Sequence, residues 1–239
     1  KHAMQEHLAT LNALHREEVR NLALEKDLDH TRMEMLKSQG NPHFLFNTLN
    51  MISCMARLED AETTDKMIVS LGNLFRHNLR TKQQEVTLEE ELDGLEDYIY
   101  LQQMRFDGRI TVEKQILVDP VRARLPSFTL QPVIENAFSH GLKACEEGGR
   151  ILLRVWRQGR MLYVTVADNG KGMTEEELAA LSEKMRQSEQ TGKSIGLGNI
   201  FRRVSMLYPD TGKMQVFSRA GHGTVIRFEI PQGEEEERA

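Results

Sequence analysis

Four short stretches carry residue types that could do chemistry. Residues 41 to 50 read NPHFLFNTLN within a run of otherwise helical period. On a helix, Phe44, Leu45, Thr48, Leu49, Met51, Ile52, Met55 and Ala56 share one broad apolar arc. His43, Asn47, Asn50 and Cys54 form the opposite stripe, so His43 points away from the packing face. Pro42 stands directly before it, and a proline in a helix interior removes a hydrogen bond at a cost of roughly 3 kcal/mol. Gly40 and Asn41 are further weak helix formers, so the helix is expected to bend there and leave the imidazole accessible. A neutral imidazole is nucleophilic near physiological pH, which suits an exposed histidine to accept a group.

The other three stretches read as ligand-binding. DNGKG at 168 to 172 follows the strand-like MLYVTVA, and its glycines permit a sharp turn that brings Asp168 against a ligand edge. GKSIGLGN at 192 to 199 feeds the helical IFRRVSMLY, where a helix N-terminus favours phosphate. It has neither the Walker spacing nor that of the dinucleotide fingerprint. QPVIENAFSHG places Asn136 and His140 one turn apart on a helix, and an amide oxygen is a hard ligand suited to a magnesium ion already carrying phosphates.

The elements that must position these residues follow from periodicity. From Lys1 to about Ser38 there is no glycine or proline, and Leu8, Leu11, Leu14, Val19, Leu22, Leu28, Met33 and Leu36 form a leaky seam, which predicts a dimeric coiled coil. Residues 40 to 107 keep a helical period, with a break near 59 to 63, and predict a helical hairpin. Beyond Gly108 the pattern changes. ITVEKQILVD alternates, ILLRVW and MLYVTVAD flank a turn at Gln158-Gly159-Arg160, and KMQVFSR and TVIRFEI flank a second at 220 to 223. Helices are expected at 128 to 141, 174 to 187 and 197 to 208, the first with Pro132 in its opening turn and the second with a capping box of Thr174 and Glu177. The predicted fold is α+β, with an N-terminal coiled coil and antiparallel hairpin, forming a four-helix bundle in the dimer, followed by an α/β sandwich. The expected divisions are 1–38, 39–108 and 109–231, with an acidic tail at 232–239.

Bulk properties narrow the function. A formal net charge of -5 gives no nucleic-acid footprint, and the terminal GEEEERA reads as a solvated tail. Cys54 and Cys145 have no metal-ligand spacing, and a disulfide scaffold is not expected. No apolar run is long enough to span a bilayer. The chain starts within a helical pattern and without methionine, so it is read as a piece of a longer protein.

With these residues in place, the sequence strongly resembles the LytS/YesM-like class of sensor histidine kinases. That class lies within the wider family sharing the ATP-binding fold of gyrase, Hsp90 and MutL. QGNPHFLFNTLNMI resembles the class's phosphoacceptor motif, and SLGNLFRHNLR and TLEEELDGLEDYIYLQQMRF match the next helix. LQPVIENAFSHGL resembles its N box, DNGKGM its G1 box, SIGLGNI its G2 box and GHGT a terminal glycine motif, all in family order over about 33 to 231.

The resemblance implies a histidine kinase fold with an ATP-binding domain of that type. It implies that His43 is the phosphoacceptor and that Asn47 positions water when the phosphohistidine partner is dephosphorylated. Asn136 would be the magnesium ligand and Asp168 the acceptor for the adenine amino group. Gly170, Gly172, Gly196 and Gly198 would shape the ATP pocket and a lid over 173 to 195, with His140, Leu197 and Thr224 also on the cofactor. Departures are Gly40 where a bulky apolar residue is usual, Ser139 where lysine is common, and Ser194 in place of a G2-box glycine. Phe44 follows the histidine where the commoner kinase class has an acid, leaving the proton acceptor unidentified.

The implied partners are a second copy of the chain and a response regulator receiver domain. Membrane contact would come only through a sensor region upstream of a cytoplasmic portion. The rival readings are an ATPase and a dimeric nucleotide-binding adaptor. Hydrolysing relatives carry a glutamate four residues before the metal asparagine, and Pro132 occupies that position. His77 and His222 are expected to be exposed, and Arg202 and Arg203 to lie on a solvated face or touch phosphate. Deleting residues 1 to 36 is expected to weaken dimerisation, and an unchanged mass by light scattering would contradict the coiled coil.

Overall fold

The computed structural model describes residues 49–50, 52–54, 56–80, 83–143, 145–191 and 196–233. The coiled-coil segment 1–38, His43, Asn47, Ser194 and the acidic run after Gly233 lie outside the described residues. The chain divides into two compact units between Ile68 and Val69.

In the N-terminal unit a helical segment stops at a turn over Glu59 and Asp60, and α1 (Glu62–Arg80) begins beyond it. Asp60 takes a left-handed φ of 54°, and the Ala61 N–H donates to the Ala56 carbonyl at 2.8 Å. Glu62 and Asp65 in the first turn of α1 complement the positive end of its dipole. Asp65 accepts from the buried Ser53 hydroxyl, to which Arg57 donates at 3.2 Å. The expected break at 59 to 63 is this turn.

The second unit is built on a five-stranded sheet in the order β2-β4-β5-β7-β6. Its strands are β2 (Ile110–Ile116), β4 (Gly149–Gln158), β5 (Met161–Asp168), β6 (Lys213–Arg219) and β7 (Gly223–Pro231). β2 runs parallel to β4, and the other neighbours are antiparallel. Gln158 pairs with Met161 across a two-residue loop in which Gly159 has a φ of 60°, the left-handed backbone that tight hairpins require. Alternation decides which face is buried. Ile151, Leu153 and Val155 of β4, Leu162, Val164 and Val166 of β5, and Ile226, Phe228 and Ile230 of β7 all point into the core.

Helices cover that face. α2 (Leu88–Arg105), α3 (Leu130–Asn136), α4 (Glu175–Thr191) and α5 (Leu197–Leu207) contribute Leu95, Tyr98, Ile99, Val133, Ile134, Met185, Ile200 and Val204 to one hydrophobic cluster. Phe138 meets Tyr98 edge-on at 6.3 Å and Phe106 at 5.6 Å between ring centroids. Capping boxes start two helices. Thr87 and Glu90 satisfy one another's backbone at α2, as do Thr174 and Glu177 at α4.

Three features depart from the sequence reading. The helix expected over 128 to 141 is α-helical only to Asn136 and widens into a π turn at Ala137–Gly141. A two-stranded antiparallel sheet of β1 (Glu85–Thr87) and β3 (Arg124–Pro126) was not anticipated. α2 packs on the sheet side of the second unit, because Leu88, Leu95 and Ile99 belong to its core. Phe228 is fully buried. Phe228→Ala should therefore lower the unfolding free energy by about 3–5 kcal/mol, measured by denaturant titration.

Candidate functional site

The ENAFSHG, DNGKG and GHGT stretches meet where β5 ends and β7 begins, beside the π turn. Asp168 closes β5 and pairs in register with Thr224 of β7. Its Oδ1 accepts the Gly170 N–H at 2.9 Å, and the Thr224 N–H also reaches the carboxylate. Burial pushes this carboxyl above its ordinary value, and the two backbone N–H groups pull it back only in part.

The surrounding glycines are required by close approach. A Cβ on Gly170 would stand 2.2 Å from the Gly141 carbonyl oxygen, and one on Gly141 would stand 2.8 Å from Asp168 Oδ1. Gly172 has a φ of 63°, and its Cβ would lie 2.0 Å from the Arg219 carbonyl oxygen. Gly223 is as tight, with the Asp168 carbonyl oxygen 1.8 Å from the Cβ position. Hydrogen bonds complete the lock. Lys171 N–H donates to the Gly141 carbonyl at 3.0 Å, and Gly221 N–H donates to the Lys171 carbonyl at 2.6 Å.

Asn136 ends α3, and its side-chain amide N–H donates to the Pro132 carbonyl at 2.6 Å. With the nitrogen committed to its own helix, the amide oxygen is the atom left to act as a ligand. His140 is exposed within the π turn, a local widening that recurs at functional sites. Gly196 precedes α5 with φ 69° and ψ −126° and no side-chain cap. Leu197 and the buried Gly198 form the first turn of that helix.

The structure thus gathers Asp168, Gly170 and Thr224 around the π turn that carries His140, with Asn136 in the residue before it. It places Gly172 behind them against β6, and Gly196, Leu197 and Gly198 at the start of α5. The lid region is helical as far as Thr191, as α4, and 192–195 lie outside the described residues. Sequence reasoning missed Ser218, whose hydroxyl accepts from Met173 N–H at 2.9 Å and lies 2.9 Å from both the Gly223 carbonyl and Thr224 Oγ1. A serine inside a strand gives no signal of that kind. Gly141 closes the QPVIENAFSHG stretch, and its contact with Gly170 spans too much sequence to be read from spacing.

Two expectations are corrected. His77 is half-buried rather than exposed, with its ring against Gly94 and 6.3 Å from the Phe128 ring. Arg203 is half-buried rather than on a solvated face, and its guanidinium donates to the Ser127 carbonyl. His222 is exposed as expected.

Comparison with known proteins places this geometry. The Histidine kinase family matches residues 31–110, and the family of Histidine kinase-, DNA gyrase B-, and HSP90-like ATPases matches 127–234. The chain belongs to the histidine kinase family. Sensor histidine kinase YpdA of Escherichia coli is 34% identical over 90% of this chain. Sensor protein LytS of Bacillus subtilis is 32% identical over 86%, and Sensor histidine kinase YesM of Bacillus subtilis 31% over 92%. The chain spans only 36%, 35% and 36% of those three relatives, respectively. No helix among the described residues is long and apolar enough to cross a membrane. Among the same residues no group of three or more histidine, cysteine or acidic side chains could hold a metal.

The raised pKa of Asp168 fixes the sign of a pH effect. Its folded-state value lies above the unfolded one, so its contribution to stability is fully present below the unfolded pKa and is lost as pH rises through the folded pKa. At neutral pH the ionised carboxylate is a net cost. Asp168→Asn keeps an oxygen for the Gly170 N–H and removes the charge. The ligand-free variant should melt at or above the parent temperature at neutral pH, with the difference fading in acid. A clearly lower melting temperature at neutral pH would contradict this assignment.

Proposed function

We propose that this chain is the cytoplasmic kinase region of a membrane sensor, transferring the terminal phosphoryl group of ATP to His43 and then to an aspartate on a response regulator. The observation that carries the reading is the half-buried Asp168 carboxylate in a glycine cradle beside the π turn. A carboxylate with spare acceptor capacity there is suited to the exocyclic amine of adenine. A side chain at 170 would strike the Gly141 carbonyl and one at 141 the Asp168 carboxylate, so the glycines keep the cradle closed around that carboxylate.

Asn136 would hold magnesium, which when bound neutralises phosphate charge. Gly170 and Gly172 would shape the adenine side of the pocket, with His140 and Thr224 beside it. The α5 start at Gly196, Leu197 and Gly198 would take phosphate, favoured by the helix dipole. In the transfer the bond from the β,γ-bridging oxygen to the γ-phosphorus breaks and a bond from the His43 imidazole nitrogen to phosphorus forms. ADP leaves, and the imidazole proton passes to an acceptor. Catalysis of such a step is mainly positioning and charge stabilisation. Asn47 would orient water for dephosphorylation of the regulator.

His43 falls in the segment matched by the Histidine kinase family. We assign residues 1–38 to a signalling coiled coil, 39–108 to the dimerisation and phosphotransfer hairpin, whose last helix α2 packs into the core of the second unit, 109–231 to the ATP-binding domain and 232–239 to a tail. The working unit is a homodimer, and its partner is a receiver domain.

Incubation with ATP radiolabelled at the γ-phosphate tests this reading. Acid-labile label should appear on the parent chain and be lost in His43→Gln, while Asp168→Asn should lose nucleotide binding. Free phosphate without protein label would point to an ATPase, and neither product to an adaptor.

A further inference from the structure

Glu91 is buried to 4% exposure, deep for a carboxylate. It comes from α2, yet its oxygens serve a turn 37 or more residues away. They accept the backbone N–H groups of Phe128 at 2.5 Å, Thr129 at 2.9 Å and Leu130 at 2.9 Å. These donors include the first residue of α3, and the nominal cap residue Thr129 makes no side-chain cap of its own. The Thr129 hydroxyl donates instead to the Pro126 carbonyl at 2.6 Å. A side chain from another helix therefore performs the capping.

Charged groups from two further helices face this carboxylate. His77 of α1 acts on it electrostatically, and the ring sits so close to α2 that a Cβ on Gly94 would stand 2.8 Å from its Cδ2. Arg203 of α5 feels the carboxylate in turn and donates to the Ser127 carbonyl, one residue before the same turn. Phe128 holds a left-handed φ of 56°, a conformation that a bulky residue keeps only when its surroundings impose it. One carboxylate thus joins α1, α2, the 127–130 turn and α5, and α3 runs from that turn to Asn136.

We propose that Glu91 is a positioning residue for the nucleotide site. By fixing the start of α3 against α2 and α5, it sets where Asn136 and the π turn stand relative to the glycine loops. The inference rests on the reading that α3 and those loops hold nucleotide. In Glu91→Gln one oxygen becomes an N–H donor facing backbone N–H groups, so at least one bond is lost, the Phe128 backbone relaxes and the start of α3 moves.

The test uses the full chain and a fluorescent ATP analogue with magnesium. Binding is titrated for the parent, Glu91→Gln, Arg203→Gln and a control, Ile230→Val, whose buried side chain lies at the opposite end of β7 from Thr224. Thermal melts establish that each variant is folded at the assay temperature. Glu91→Gln should weaken affinity about tenfold, the scale expected when a network away from the ligand is altered. The control should bind like the parent despite a lowered melting temperature. A purely structural role would reduce the binding-competent fraction and leave the dissociation constant of the folded fraction unchanged. An affinity within about twofold of the parent in folded Glu91→Gln would overturn the proposal. Should Glu91→Gln fail to fold, Arg203→Gln decides by the same criterion. A parent chain that binds no nucleotide would overturn the proposed function as well, which separates the two failures.

Discussion

Everything in the second unit depends on backbone approaching backbone where side chains would forbid it. The Gly170 and Gly141 contact lets the loop after β5 lie on the end of the π turn, and Gly223 lets β7 begin directly under Asp168. Each would require a movement of backbone if a Cβ were present, because the blocking atoms are carbonyls rather than flexible side-chain ends. The site is therefore made of main chain first. Its side chains, Asp168 and Asn136, are held by that framework rather than holding it.

The framework needs anchoring on the helical side, and a buried acid supplies it. Desolvation of a carboxylate is expensive and raises the Glu91 pKa, which the N–H groups of Leu130, Phe128 and Thr129 and the His77 charge oppose. Hydrogen bonds to charged groups contribute about 1.5–3 kcal/mol each, so three such bonds can offset a penalty of several kcal/mol for burying the ion. The balance is delicate by construction. A small loss on the favourable side leaves an under-satisfied buried charge, which is why the turn at 127–130 is sharply defined.

Local physics was legible in the sequence and distant physics was not. Alternation in ILLRVW and MLYVTVAD, the Gln158-Gly159-Arg160 turn and the Thr174 and Glu177 box depend on neighbours a few residues apart, and each appears in the structure as read. Asp168, Gly170 and Thr224 were named from motifs and do stand together. Glu91 was not distinguishable. It is the last of the acids Glu89, Glu90 and Glu91 in the first turn of α2, where carboxylates favour the helix dipole, and nothing in TLEEELDGL says which one turns inward. Arg203 and His77 were misread for the same reason, since their partners at Ser127 and Gly94 are set by tertiary packing. The π turn was hidden too, because its extra width comes from the Leu142 N–H reaching the Ala137 carbonyl, a choice that side-chain period does not encode. His43 lies outside the described residues.

The two carboxylates show how one physical cost is used in two ways. Burial raises the pKa of both Glu91 and Asp168. A carboxylate offers about four lone-pair positions. Glu91 fills three with backbone N–H groups and has cationic side chains close by, so its capacity is spent inside the fold. Among the described residues Asp168 accepts only from Gly170 and Thr224, and no charged side chain offsets its burial. It is also the more open of the two, closing a strand instead of lying under a helix. An acceptor left incomplete at the edge of a rigid glycine cradle is destabilised in the free protein, and a ligand donor placed there would relieve that cost. That difference in satisfaction, more than any difference in acidity, separates the carboxylate that holds the fold from the one available for binding.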